Sequence, residues 1–234
     1  MEGKLYLIPS FLGTENSKEV FPELNKEIIK KLNYFIVEDE RSARRFLKKL
    51  LPEITIDQLN FSILNEHSKP SEIKGYLDPC ERYSTGLISE AGVPCVADPG
   101  SQIVKMAHDK NIEVVPLIGP SSILLALMAS GLNGQNFAFN GYLPVKRDER
   151  VKKIRFYEKR SFTENQTQVF IETPYRNVQL LDDILDNCDP GTFLTIACDL
   201  TLSSQIIKTR RIDEWKIKKP DIRKRPAIFC MLRK

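Results

Sequence analysis

Three X-Pro steps in the chain, Asp98-Pro99, Gly119-Pro120 and Thr173-Pro174, each follow a short apolar run and precede a helical pattern. Proline has no N–H, and its fixed φ suits the first position of a helix. The residue before it can cap that helix. Each step therefore predicts a helix amino terminus, with free backbone N–H groups, near the carboxyl end of a strand. Such groups hold anionic or polar parts of nucleotide-like ligands. The first step lies in Leu87–Lys110, LISEAGVPCVADPGSQIVKMAHDK. A strand pattern at Thr85–Ser89 breaks there at Glu90-Ala91-Gly92-Val93-Pro94. Small side chains let a ligand approach the backbone itself. The loop after a strand is also where open α/β sheets place ligands. Without a ligand, the same stretch is a tight strand-to-helix connection.

Several chemistries are excluded. There is no GxGxxG or GxxxxGK[ST] motif for phosphates and no GxSxG nucleophile elbow. The two histidines, His67 and His108, are too few and too far apart to suggest a metal centre. Cys80, Cys95, Cys188, Cys198 and Cys230 are odd in number and form no CxxC pair. That argues against a zinc site and predicts reduced thiols in a cytoplasm. No apolar run approaches the roughly 20 residues of a membrane span. The opening MEGKLYLIPS has too short an apolar run for a signal peptide.

The formal net charge of +4 hides an asymmetry. Residues 208–234 carry eleven Lys or Arg against three Asp or Glu, and residues 144–160 carry eight against three. The rest of the chain is acidic. Two basic segments on an acidic body suit a phosphate-facing surface, or else two solvated faces.

Strand patterns at Lys4–Pro9, Tyr34–Val37, Phe61–Leu64, Thr85–Ser89 and Val114–Leu117 alternate with helical ones. The helical patterns are Val20–Leu32, with Val20, Leu24, Ile28 and Leu32 on one face, then Arg41–Leu51, Ser71–Leu77 and a helix from Pro99. Such alternation predicts a mostly parallel sheet covered on both faces. After Gly119-Pro120-Ser121-Ser122 comes the apolar helix ILLALMAS. Strands are predicted at Phe137–Asn140, Gln168–Ile171, Phe193–Cys198, Ser204–Thr209 and Ala227–Leu232. Helices are predicted at Arg147–Lys159 and Val178–Cys188. Strands dominate in this half, which predicts a mixed sheet. The fold class is α/β, with two α/β domains around a cleft, residues 1–117 and 118–234.

The blocks LYLIP, FIVEDERSARRFL, LISEAGVPCVADPG, VVPLIGPSSILLALMASGL, FAFNGYLP and VFIETPYR stand in this order along nearly the whole chain. In this the sequence resembles the tetrapyrrole-methylase-like family of S-adenosylmethionine (SAM) dependent methyltransferases. Within that family it resembles the ribosomal RNA small subunit methyltransferase I group. The resemblance implies two α/β domains, SAM as cofactor in the cleft between them, and a homodimer. It also implies ribosomal RNA or the small ribosomal subunit as partner. Carried over by motif position, it puts Pro9, Glu90, Ala91, Gly92, Val93, Val96, Ala97, Ser121 and Ser122 along the donor. Glu172, Ala197 and Ala227 would form the adenosine side.

Some positions depart from the group. Ile8-Pro9-Ser10-Phe11-Leu12-Gly13-Thr14 replaces its usual Thr-Pro-Ile-Gly-Asn-Leu, and Glu38-Asp39-Glu40-Arg41 its Glu-Asp-Thr-Arg. Glu90 stands where Asp is usual. Methyl transfer to a ribose hydroxyl would gain from a base. Glu38, at the end of the second strand, is the candidate, with Arg41 to hold a phosphate or orient it. The alternatives are that Asp39 or Glu38 caps the next helix and that Arg41 is one charge on a basic face. The leading function is 2′-O-methylation of a ribose in small-subunit ribosomal RNA. Two others stay open, methylation of a tetrapyrrole-like small molecule and non-catalytic binding of RNA or SAM.

Overall fold

The computed structural model describes residues 3–13 and 21–234. The chain folds as two compact units, Met1–Ser121 and Ser122–Lys234.

The first unit runs β1 (Leu5–Ile8), α1 (Glu23–Ile29), β2 (Tyr34–Val37), α2 (Glu40–Leu50), β3 (Asn60–Ile63), α3 (Pro70–Ile73), β4 (Thr85–Ile88), α4 (Ser101–Asp109) and β5 (Val114–Pro116). The strands form one parallel sheet in the order β3-β2-β4-β1-β5. Side chains alternate across a strand, so each strand feeds both faces. Ile8, Phe35, Val37 and Ile88 pack with Ile29, Ala43, Phe46, Leu47 and Leu50 on one face. Leu5, Ile36 and Leu87 pack with Ile73, Leu77, Ile103 and Ala107 on the other. Gly86 leaves room for the side chains of the neighbouring strands, since a Cβ there would stand 2.6 Å from Ile8 Cδ1.

The helical face expected at Val20, Leu24, Ile28 and Leu32 is shifted. Val20 lies outside the described residues, and Leu24 is 64% exposed. Leu32 is buried as expected, and Phe21, Asn25 and Ile29 are buried with it. Asn25 Nδ2 donates to the Ile118 carbonyl at 2.7 Å, which satisfies this buried amide on the inward face. The helix expected over residues 71–77 is only the four-residue α3, followed by a 3-10 turn at Asp78–Glu81.

The second unit runs α5 (Ser122–Ser130), β6 (Phe137–Phe139), α6 (Arg147–Thr163), β7 (Thr167–Glu172), α7 (Asn177–Asn187), β8 (Phe193–Cys198), β9 (Ile206–Arg211), α8 (Ile212–Ile217) and β10 (Ala227–Leu232). The sheet order is β6-β7-β10-β8-β9. Only the β6–β7 pair is parallel, so the sheet is mixed. Ile154, Leu180, Leu181, Ile184 and Trp215 bring α6, α7 and α8 onto one face with Phe170, Leu194, Ile196 and Phe229. Ala126 brings α5 onto the other, with Val169, Ala197, Ile228 and Cys230. Helix α8 was not expected from the sequence. Glu214 Oε2 accepts the Arg211 N–H at 2.9 Å, and Trp215 Nε1 donates to the Leu194 carbonyl at 2.8 Å. Among the described residues no helix is long and apolar enough to cross a membrane, and the five cysteines are unpaired.

Candidate functional site

Strands β4, β1 and β5 are parallel neighbours, so the loops after them leave one edge of the sheet. These loops interlock. The Gly92 carbonyl accepts the Ser10 N–H at 2.8 Å and the Ser89 hydroxyl at 2.7 Å. Gly92 has φ +77°, and a Cβ on it would meet Leu12 Cδ2 at 3.0 Å and the Pro120 carbonyl oxygen at 3.2 Å. A Cβ on Gly119 would stand 2.4 Å from Pro9 Cβ. Both glycines are thus required by loop-on-loop packing. Ala91, Val96 and Ala97 are the small residues that remain exposed, with Val93 half-buried and Pro9 buried.

Cys95 (φ +68°) and Ala97 (φ +64°) join Gly92 in the left-handed region, where an L side chain is strained. Asp98 holds that loop from both sides. Its Oδ2 accepts the Cys95 N–H at 2.8 Å and its Oδ1 the Gly100 N–H at 2.7 Å. The second bond closes an Asx turn ahead of the helix, whose cap position is Gly100, with no side-chain cap bond, and not the expected Asp98. The helix itself starts at Ser101, two residues beyond Pro99. The other helices also start late, α5 at Ser122, two residues beyond Pro120, and α7 at Asn177, three beyond Pro174. Hydrogen-bonded turns after Pro99 and Pro174 use some of the N–H groups expected to be free. Gln102 N bonds to Pro99 O, and Arg176 N and Asn177 N bond to Thr173 O.

At the end of β2 the two acids divide their roles. Asp39 caps α2, accepting the Ser42 N–H and hydroxyl at 2.8 Å each. These bonds hold its carboxyl below the usual range. Glu38 is left half-buried, with Oε1 3.5 Å from the Glu90 N–H. Burial raises the Glu38 carboxyl, and the Asp98 and Glu90 carboxylates raise it further against the Glu90 N–H. Partial burial likewise raises Asp98, against its backbone donors, and Glu90, against the Ser42 hydroxyl. Three carboxyls thus crowd one end of the sheet. A carboxylate raised in this way accepts a proton more readily. Arg41 is exposed on the first turn of α2 and makes no hydrogen bond to Glu38. Burial, then the Asp98 charge, pushes the Cys95 thiol up to about 12, so it stays protonated and unreactive.

Three serines escaped sequence reasoning. Ser10, Ser42 and Ser89 line a small recess with Glu90, Phe46 and Ile88. Ser10 Oγ is buried and has no hydrogen-bond partner among the described residues. Single serines, two in loops and Ser42 in the first turn of α2, carry no sequence signal, and only convergence of the strand ends reveals them.

In the second unit, Glu172 and Ala227 are direct partners across β7 and β10, and Ala197 pairs with Ile228 one position along. All three therefore sit near one end of that sheet. Ala197 is packed into the α5 face and Ala227 into the opposite one. The buried Glu172 carboxylate accepts its neighbour's Thr173 N–H at 2.7 Å and Arg176 Nη2 at 2.6 Å. Ser121 and Ser122 are half-buried where the chain passes into α5. Among the described residues no cluster of His, Cys, Asp and Glu is arranged to hold a metal.

This architecture is shared with known methyltransferases. The uroporphyrin-III C-methyltransferase from Thermus thermophilus, solved with S-adenosylhomocysteine, aligns with a TM-score of 0.57. It is 17% identical, over 98% of this chain and 97% of that one. Diphthine synthase aligns with a TM-score of 0.69 at 14% identity, over 97% of this chain and 88% of that one. No protein-family model matches the chain. The ribosomal RNA small subunit methyltransferase I of Vibrio cholerae is 30% identical over 205 residues, 87% of this chain and 67% of the relative. That of Streptococcus pyogenes is 34% identical over 184 residues, 78% of this chain and 60% of the relative. The fold is the one these tetrapyrrole methylases share. Within it, the chain belongs to the ribosomal RNA small subunit methyltransferase I family.

Proposed function

We propose that this chain, by its family a SAM-dependent methyltransferase, methylates a ribose 2′-hydroxyl in small-subunit ribosomal RNA. Family membership supports the ribosomal RNA. The observation that carries the hydroxyl acceptor is Glu38, a half-buried carboxylate raised by burial and by two neighbouring acids.

The cofactor, when bound, supplies a methyl group already activated on a positively charged sulfur. The residues present fit such a group. Three carboxyls face a cation favourably, and the exposed Ala91, Val96 and Ala97 leave backbone within reach. The donor contacts proposed in the first unit are Pro9, Glu90, Ala91, Gly92, Val93, Val96, Ala97 and Ser121. In the second unit they are Ser122, Glu172, Ala197 and Ala227. Glu38 takes the proton of the attacking hydroxyl, and a raised carboxyl suits that role. Arg41, exposed and outside any ion pair among the described residues, is assigned a substrate phosphate.

The deciding experiment is transfer of a tritiated methyl from SAM to undermethylated small subunits, followed by ribose-methylation mapping. A single new 2′-O-methyl position is expected. Label on a base, or transfer to a small-molecule fraction only, would overturn the acceptor. A homodimer belongs to the same reading, with α5 as its apolar surface, where Leu124 is 50% and Met128 77% exposed. Light scattering at micromolar concentration is expected to give twice the chain mass, and a monomer would overturn it.

A further inference from the structure

The outward face of α6 supports an inference that rests on the RNA reading and deepens it. Between Glu149 and Glu164 the helix carries six basic residues and one acid. That acid, Glu158, is buried and accepts the Asp189 N–H at 2.7 Å and the Thr192 hydroxyl at 2.5 Å. The outer surface between the helix ends therefore exposes no negative charge. Arg150 is buried against Asp183, and Arg160 pairs with Glu164. Lys152 and Lys159 are exposed and form no ion pair among the described residues.

Two aromatic rings stand among these cations. Phe156 is 55% and Phe162 56% exposed, although Ile154 already supplies the anchor of α6 in the core. The Lys153 ammonium lies 5.6 Å from the Phe156 ring centroid, and the Arg233 guanidinium 5.4 Å from that of Phe162. Arg233 is held there by Asp189 at 2.8 Å. Half-exposed rings flanked by cations, with no exposed acid on the helix between them, match the needs of single-stranded nucleic acid. Bases stack on the rings while the cations take the phosphates. A duplex buries its base faces and has no use for such rings.

We propose that Phe156 and Phe162 form a platform for unpaired bases of the RNA substrate, with Lys152, Lys153 and Lys159 on the flanking phosphates and Arg233, held by Asp189, backing the Phe162 ring. The test is fluorescence anisotropy of the full chain with a labelled single-stranded 12-nucleotide RNA and a duplex of equal length, at two salt concentrations. Phe156→Ala and Phe162→Ala are each expected to weaken single-strand binding by about five- to a hundred-fold, the cost of one lost stack. Duplex affinity and the salt slope should not change. Phe156→Trp, which keeps an aromatic face, should retain affinity, and Phe156→Leu, which keeps only bulk, should not. Wild-type affinity in both alanine variants overturns the platform. So does a Leu variant as good as wild type, which would mark the face as a docking surface for an apolar protein partner. Steep wild-type salt dependence with silent Phe variants removes the platform and leaves the RNA reading standing. No binding of either RNA by the wild type removes both.

Discussion

At the scale of single residues, the division of labour between Glu38 and Asp39 is the most consequential detail. Asp39 is bound to the amino terminus of α2 and is not free for proton transfer. Glu38 is free, and its carboxyl is raised. A raised carboxyl holds its proton longer in the folded state than in the unfolded one. Its contribution to stability is therefore full below the ordinary carboxylate range and is lost as pH rises through the raised value. Glu38→Gln removes that loss. The variant should melt higher than wild type at pH 8, equally at pH 3, and have no methyl-transfer activity. Lower stability at pH 8 would refute the raised carboxyl. Gly92 makes a second case. Its positive φ and its nearness to Leu12 and Pro120 mean that Gly92→Val should damage the loop itself. The lower melting temperature would then be inseparable from the lost SAM binding. Ala91 is exposed, so Ala91→Trp is the cleaner probe, expected to weaken SAM binding in calorimetry while leaving the melting temperature nearly unchanged. Undiminished SAM affinity in that variant would remove Ala91 from the donor contacts. The sequence marked Glu38 and the small-residue loop through strand-end position. It left Ser10, Ser42 and Ser89 unseen, because their meeting depends on neighbouring loops.

At the scale of elements, the strand-to-helix connections were legible and their inner order was not. An Asp-Pro step after an apolar run is a local signal, although Asp98 closes a turn onto Gly100 ahead of the helix and does not stand at its cap position. Its second bond, to Cys95, answers a backbone strain that no residue type announces. Asp98→Ala should leave two N–H groups unpaired and loosen the whole loop. A loss of roughly 1–3 kcal/mol per unpaired buried donor is the scale to expect in urea unfolding. SAM affinity should fall with it, and unchanged stability would show the loop to be held otherwise. Helices α6 and α7 are joined by a different device. Asp183 is buried on α7 and accepts from Arg150 Nε at 2.7 Å and Arg147 Nε at 2.8 Å. Arg150 also donates to the Pro144 and Val145 carbonyls. Removing one partner of a buried pair leaves an uncompensated charge and costs ~3–5 kcal/mol. Asp183→Ala is expected in that range by denaturant unfolding, and a loss below ~1 kcal/mol would mean that Arg150 finds water. The periodicity of α6 signalled a charged helix but not this pairing, since the partner lies 33 residues away.

At the scale of the whole molecule, the net charge of +4 misleads, because pairing and not composition decides which cations are free. Residues 208–234 are strongly basic in sequence, yet several of those charges act inside the fold. Arg225 donates to Asp199 Oδ2 at 2.8 Å, to the Asp221 carbonyl at 2.7 Å and to the Ser204 carbonyl at 2.6 Å. Its own carbonyl accepts from Asn177 Nδ2. It thus ties the 199–205 loop to the start of β10 and is not available to a phosphate. Arg211, Lys219 and Arg223 pair with Asp213, Asp182 and Asp221. Lys208, Lys216 and Lys218 are exposed and outside any ion pair among the described residues. If residues 208–218 bind RNA, these three should carry the counterion release of that stretch. Lys208→Glu, Lys216→Glu and Lys218→Glu together should lower the log–log salt slope for single-stranded RNA by ~2, at about 0.7 per phosphate contact. Melting temperature and SAM affinity should stay near wild type, because exposed lysines hold little of the fold. Arg225→Glu should do the reverse. It sets a second carboxylate against Asp199 and should unfold the loop, with RNA binding lost only together with stability. Measured side by side at two salt concentrations, the variants separate a binding surface from a structural pin. An unchanged slope in the triple-lysine variant would take residues 208–218 out of the RNA interface, leaving α6 as the basic surface to which RNA binding must be traced.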